Sequence, residues 1–100
     1  MTIDVFIQTL QEKEIPTTIL DLPQADLLTA LWYDGKGDWE NAHQIAQTKE
    51  TAFYCLVHAY LHRKEGDQWN AAYWYRRAGR AAATVSLWEE WKEITKELLG

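Results

Sequence analysis

The chain of 100 residues has the length of one ordinary domain, and its 47% apolar and 25% charged residues are typical of a folded chain. Its formal net charge of −5 argues against general nucleic-acid binding, because phosphate contacts need a positive surface. The single cysteine excludes an intramolecular disulfide, and neither a signal peptide nor an apolar run long enough to span a bilayer is found, so we expect a cytoplasmic protein that does not bind membranes.

Apolar residues recur at helical spacing from the N-terminus onwards, and no alternating run typical of a strand occurs. Residues 3–10 predict a first helix with Thr2 as its N-cap, and the chain breaks at Pro16. Asp21 is expected to cap a second helix, with Pro23 in its first turn, where a proline is tolerated. Helical spacing without any strand pattern therefore predicts an all-α fold.

Glycine followed by aspartate punctuates the middle of the chain twice. Gly37 is expected to end the second helix and Asp38 to cap the third. A fourth helix is predicted over residues 51–64, where apolar and small side chains cover more than one face. Gly66 then ends this helix and Asp67 caps the fifth. We therefore expect two consecutive helical hairpins.

The C-terminal region carries the last helix start signal. Ser86 followed three residues later by Glu89 matches a capping box. The apolar residues that follow recur at helical spacing. A C-terminal packing helix is therefore predicted over about residues 86–99.

An internal repeat is the strongest signal in the sequence. The segments LLTALWYDGKGDWENAHQIA and LVHAYLHRKEGDQWNAAYWY align with a period of 29 residues. The identical pairs include Ala30 and Ala59, Gly37 and Gly66, Asp38 and Asp67, Asn41 and Asn70, and Ala42 and Ala71. Self-similarity at a fixed period is typical of stacked helical hairpins.

This repeat resembles the tetratricopeptide repeat in its small, turn and aromatic positions. In the second copy all of these positions match, namely Ala59, Gly66, Asp67, Ala71, Tyr75 and Ala78. The first copy lacks the aromatic and the last alanine, where Ala46 and Lys49 stand, and the period is shorter than the family's 34 or so residues. The resemblance implies a tetratricopeptide-like stack of two helical hairpins, about residues 24–47 and 53–80, with flanking helices at both ends. The segment HAYLHRKEGDQWNAAYWYRRAGR also resembles short bacterial proteins of no assigned function.

The resemblance implies a small protein-interaction module. Its concave face is expected along the first helix of each hairpin, where it would offer Tyr33, Tyr54, His58 and His62 to a short peptide or to a second copy. The six tryptophans are many for a thin helical layer. Trp88 and Trp91 of the last helix are therefore expected to hold a homodimer.

Histidines at helical spacing offer a different function. His58, His62 and Glu65 point the same way on the fourth predicted helix, as ligands of one metal ion must, and His43 on the neighbouring hairpin could be a fourth ligand. The alternative is structural, because a histidine near a helix C-terminus is favoured by the helix dipole.

The charge is unevenly spread along the chain. Residues 1–50 carry −6, residues 51–82 carry +3 and residues 83–100 carry −2. In the basic block, Arg76 and Arg80 are expected one turn apart on a face shared with Tyr73, a combination that suits an anion such as a carboxylate or a phosphate. The alternative is that these arginines pair internally with the acidic first half. The alternative to an interaction module is a small-molecule or anion-binding protein, in which His58 and His62 share one surface with these arginines.

Catalytic motifs are absent from the sequence. It contains no nucleophile elbow, no P-loop and no dinucleotide-binding fingerprint. Cys55, three residues before His58, is expected to be a buried structural thiol rather than a nucleophile. We therefore expect neither enzyme activity nor a cofactor.

Overall fold

The structure is a computed structural model that describes residues 1–100. It contains helices and no strands, as the sequence predicts. The helices are α1 (Ile3–Thr9), α2 (Thr17–Leu20), α3 (Ala25–Gly35), α4 (Trp39–Ala46), α5 (Ala52–Lys64), α6 (Gln68–Ala78) and α7 (Leu87–Leu99). None of them combines the length and the apolar character that crossing a membrane requires.

The turns between α3 and α4 and between α5 and α6 have the same geometry. Gly37 and Gly66 adopt φ angles of 85° and 89°, the left-handed region that glycine enters without steric cost. The next N–H in each turn reaches back to close the preceding helix, Asp38 to the Tyr33 carbonyl at 2.8 Å and Asp67 to the His62 carbonyl at 2.9 Å. The repeated Gly-Asp pair therefore forms two equivalent turns.

Four of the five predicted side-chain caps form. Asp38 and Asp67 each accept the backbone N–H three residues on, as do Thr2 at α1 and Ser86 at α7. Each cap satisfies a backbone donor that the first turn of a helix leaves free. Only half of the predicted capping box forms: the backbone N–H of Glu89 donates to the Ser86 hydroxyl, whereas the Glu89 carboxylate pairs with Lys92 at 3.0 Å.

The start of α3 differs from the prediction. Asp21 does not cap α3, because it ends α2, where its N–H bonds to the Thr17 carbonyl at 3.1 Å. Pro23 lies before the helix rather than in its first turn. The N-cap is Gln24, whose φ of 62° is in the left-handed region, and its side chain makes no capping bond. A short helix between Pro16 and Asp21 was therefore missed.

Helix α7 lies against α3 and α5, the first helices of the two hairpins, and α1 packs against α7. Trp91 is 1% exposed, and its indole N–H donates to the Leu31 carbonyl at 2.9 Å. Its ring also lies against Phe6, with ring centroids 5.8 Å apart. Helix α7 therefore occupies part of the surface of α3 and α5. Of the residues predicted to line a concave groove, Tyr54 and His58 are buried, whereas Tyr33 and His62 are partly exposed.

Two buried carboxylates cross-link the helices. Asp34 of α3 accepts a hydrogen bond from the Tyr60 hydroxyl at 2.6 Å and pairs with Lys64 at 2.9 Å. Glu90 of α7 accepts from the Tyr75 hydroxyl at 2.6 Å and also pairs with a cation of α5. Because each carboxylate is hydrogen-bonded and paired, its burial is compensated.

Candidate functional site

Helices α4 and α5 bring all three histidines of the chain together. His58 and His62 lie one turn apart on α5, and His43 faces them from α4. The Nε2 atoms of His43 and His58 are 3.1 Å apart, and one ring nitrogen from each of the three residues lies within 4.8 Å of the others. We call His43, His58 and His62 the histidine cluster.

Two tryptophans hold the histidine cluster from opposite sides. Trp39 stacks on His43, with ring centroids 4.7 Å apart and an angle of 8° between the planes, and it donates its indole N–H to the Leu61 carbonyl at 2.8 Å. Trp74 of α6 stacks on His58, with centroids 4.0 Å apart. The imidazoles are therefore oriented by packing as well as by their mutual hydrogen bond.

Burial lowers the pKa of two members of the cluster, His58 and His43. His58 is only 5% exposed, and desolvation, followed by the neighbouring His43 and His62, lowers its pKa to about 4. The pKa of His43 is also lowered, chiefly by burial and then by His62, against the opposing effect of Glu65 and Glu40. Nδ1 of His58 is buried without a hydrogen-bond partner. Burial therefore favours the neutral imidazole at His58 and at His43.

Glu65 does not join His58 and His62 as a shared ligand, contrary to the prediction. Its Oε2 lies 2.6 Å from Nδ1 of His62, and His43 instead is the third member of the group. Asp67 also lies near His62, but both of its oxygens are bonded to Asn70 in the helix cap. Glu65 is therefore a partner of one histidine and stands outside the cluster.

The expected anion site does not form between Arg76 and Arg80. Helix α6 ends at Ala78, and Gly79, with a φ of 72°, turns the chain away, so the two arginines do not share a helical face. Arg80 instead binds both carboxylate oxygens of Glu97, at 2.8 and 3.1 Å. This partner belongs to α7, so pairing with the acidic first half is also wrong for Arg80.

The exposed side of α6 carries a row of large side chains. Trp69 is 80% exposed and Tyr73 is 37% exposed. Arg76 continues the row, is exposed, and has no carboxylate at ion-pair distance, whereas Arg77 pairs with Glu50 at 2.9 Å. We call Trp69, Tyr73 and Arg76 the α6 stripe, because positions four and seven residues on lie on one helical face.

No cavity joins the histidines to the arginines. The largest cavity, of about 510 Å³, opens beside α6 and residues 82–84, and none of the three cavities is lined by His58, His62 or Arg76. The single ligand pocket that a shared histidine and arginine surface would require is therefore not formed.

The two tryptophans predicted at a dimer interface differ in exposure. Trp88 is 47% exposed and stacks on Trp91, with ring centroids 4.9 Å apart. Trp91 is enclosed in the chain's own core, so its assignment to an interface is wrong.

Cys55 is buried, and its thiol donates a hydrogen bond to the Glu50 carbonyl at 3.3 Å. Burial raises the pKa of the Cys55 thiol, so the residue is not held as a thiolate next to a base.

Sequence reasoning missed the tryptophans that hold the cluster and the buried carboxylates Asp34 and Glu90. One signal was present, since Trp39 precedes His43 by four residues and so shares its face of α4. The contact between Trp74 and His58 has no signal in the sequence, because it joins two helices whose relative rotation is set by packing.

Comparison with protein-family models, with curated proteins and with solved structures found no match for this chain.

Proposed function

We propose that the protein is a binding module that takes an acidic segment of a partner protein on the α6 stripe. The observation that carries the proposal is the exposure of Trp69, at 80%, beside an arginine without a carboxylate partner. Tryptophan, tyrosine and arginine are the residues most enriched where alanine substitution costs binding energy.

Charge supports an acidic partner rather than a neutral one. The α6 stripe lies in the region of residues 51–82, which carries +3 in a chain of net −5. Arg76 offers a planar fork that matches a carboxylate, and the Trp69 and Tyr73 rings offer rigid apolar area beside it. A carboxylate next to an apolar side chain would fit this combination.

The experiment measures the affinity of short fluorescein-labelled peptides of equal length, which differ only in how many glutamates replace glutamines around one central leucine. We expect affinity to rise with the number of glutamates and to fall as salt is added, because the attraction between exposed charges is screened. Trp69→Ala and Arg76→Glu should each weaken binding about tenfold or more, as for residues central to an interface.

The matched control is Lys13→Glu, which makes the same change of charge at an exposed position outside α6. Affinities that do not change with the number of glutamates, or that fall equally in Arg76→Glu and Lys13→Glu, would refute the proposal. Association of the chain with itself that Trp69→Ala abolishes and Trp88→Ser does not would identify a second copy as the acidic partner.

A further inference from the structure

We propose that His43, His58 and His62 form a three-histidine site for a divalent late transition metal of the zinc class. The inference does not depend on the α6 stripe. It rests on the convergence of three imidazoles from two helices, with one nitrogen of each within 4.8 Å of the others.

The spacing of the first two ligands is already close to that of a metal site. Zinc binds histidine nitrogen at about 2.0–2.1 Å, so two nitrogens on one tetrahedral ion are about 3.3 Å apart. The Nε2 atoms of His43 and His58 are 3.1 Å apart. The ion would thus replace the hydrogen bond between the two rings, with a small separation of α4 and α5.

The third ligand is placed by a carboxylate. Nδ1 of His62 lies 2.6 Å from a Glu65 carboxylate oxygen, so Nε2 is the ring nitrogen that this contact leaves available to a metal. His62 lies in the last turn of α5, and its ring centroid is 5.2 Å from that of His43 and 4.8 Å from that of His58. Glu65 is therefore a positioning residue of the site.

The ligand set selects the class of metal. Neutral imidazoles suit zinc, copper and nickel, whereas magnesium and calcium prefer oxygen ligands. No carboxylate oxygen belongs to the group of three histidines. Since Trp39 and Trp74 stack on two of the ligands, the rings are held in place before an ion arrives. The fourth position would face solvent beside the half-buried His43 and His62 and take a water.

The first experiment uses the full chain without a histidine tag, stripped with a chelator, and titrates it with zinc chloride in a calorimeter and with cobalt chloride in a spectrophotometer. We expect one ion per chain, the visible absorption of tetrahedral cobalt, and a change in tryptophan fluorescence on binding. Weak, unsaturable binding, or the absorption of six-coordinate cobalt, would overturn the proposal.

Variants then test which residues bind the ion. His62→Gln, at a half-buried position that we expect to leave folding intact, should weaken zinc binding about 100-fold or more, beyond the roughly 10- to 100-fold that losing a second-shell partner costs. Glu65→Gln should weaken it within that smaller range, and Glu14→Gln, which changes an exposed carboxylate outside α4 and α5, should leave it unchanged. Circular dichroism confirms that each variant folds. Equal affinity in His62→Gln and the parent would assign the cluster to packing alone.

Discussion

The Tyr60 hydroxyl donates a hydrogen bond of 2.6 Å to Asp34, whose side chain is almost completely buried. The two residues belong to α5 and α3, so the bond joins the first helices of the two hairpins. Burial raises the pKa of the Tyr60 hydroxyl, and the neighbouring Asp34 carboxylate raises it further because its negative charge disfavours a phenolate. Removing either partner would leave a buried polar group without a partner.

We expect Asp34→Ala to lower the free energy of unfolding by about 2–4 kcal/mol, because Tyr60 loses its acceptor and Lys64 its counter-ion. Urea unfolding measures the change. Asp21→Ala, at an exposed aspartate that caps no helix by its side chain, should change stability by less than about 0.5 kcal/mol. Similar losses in the two variants would mean that the buried network adds little.

Gly66→Val should destabilise the protein by about 1–2 kcal/mol or more, because a residue with a β-carbon resists the left-handed conformation. The φ of 89° and the empty space around the position leave conformation as the only cost, since an added Cβ would meet no atom within 4 Å. The urea midpoint of this variant is compared with that of Lys13→Val, at an exposed position. Equal midpoints would contradict the turn geometry.

The stability of the metal-free protein should fall as the pH drops from 7 to 5. The folded-state pKa of His58 is about 4, below the value of about 6.5 for an unfolded histidine, so only the unfolded chain gains this proton as pH falls through 6.5. The His58 contribution is complete above about pH 6.5, and about 2 kcal/mol of it is lost by pH 5.

The variant His58→Phe isolates this contribution, because a phenyl ring can still stack on Trp74 but has no proton to bind. Thermal unfolding is followed across the pH range with a chelator present. All other ionisable groups are present in both proteins, so the difference between the curves reports the substitution at His58. Parallel curves for the parent and the variant would show that the depressed pKa is not a property of the folded chain.

Self-association through Trp88 is the remaining prediction for the last helix. Trp88 is half-exposed and held flat against the buried Trp91, so it offers rigid apolar area at little cost in side-chain entropy. We expect a homodimer in sedimentation at high micromolar concentration, which Trp88→Ser shifts to monomer. A parent protein that sediments as a monomer throughout would exclude this interface.

The sequence by itself determined the helices and most of their ends. The N-caps at Asp38 and Asp67 and the glycine turns before them were predicted because each depends on hydrogen bonds between residues only a few positions apart. The N-cap of α3 was not predicted, because the Gln24 side chain makes no capping hydrogen bond and glutamine is not a residue type that favours a left-handed φ.

The tertiary structure alone decided what the faces of the helices contact. The hydrogen bond from the Trp91 indole to the Leu31 carbonyl joins residues 60 positions apart and fixes α7 against α3. The pairing of Arg80 with Glu97 follows from the turn at Gly79 and the path of α7. The same holds for the meeting of His43 with His58, because helical spacing fixes which side chains share a face, while packing between helices fixes which faces meet.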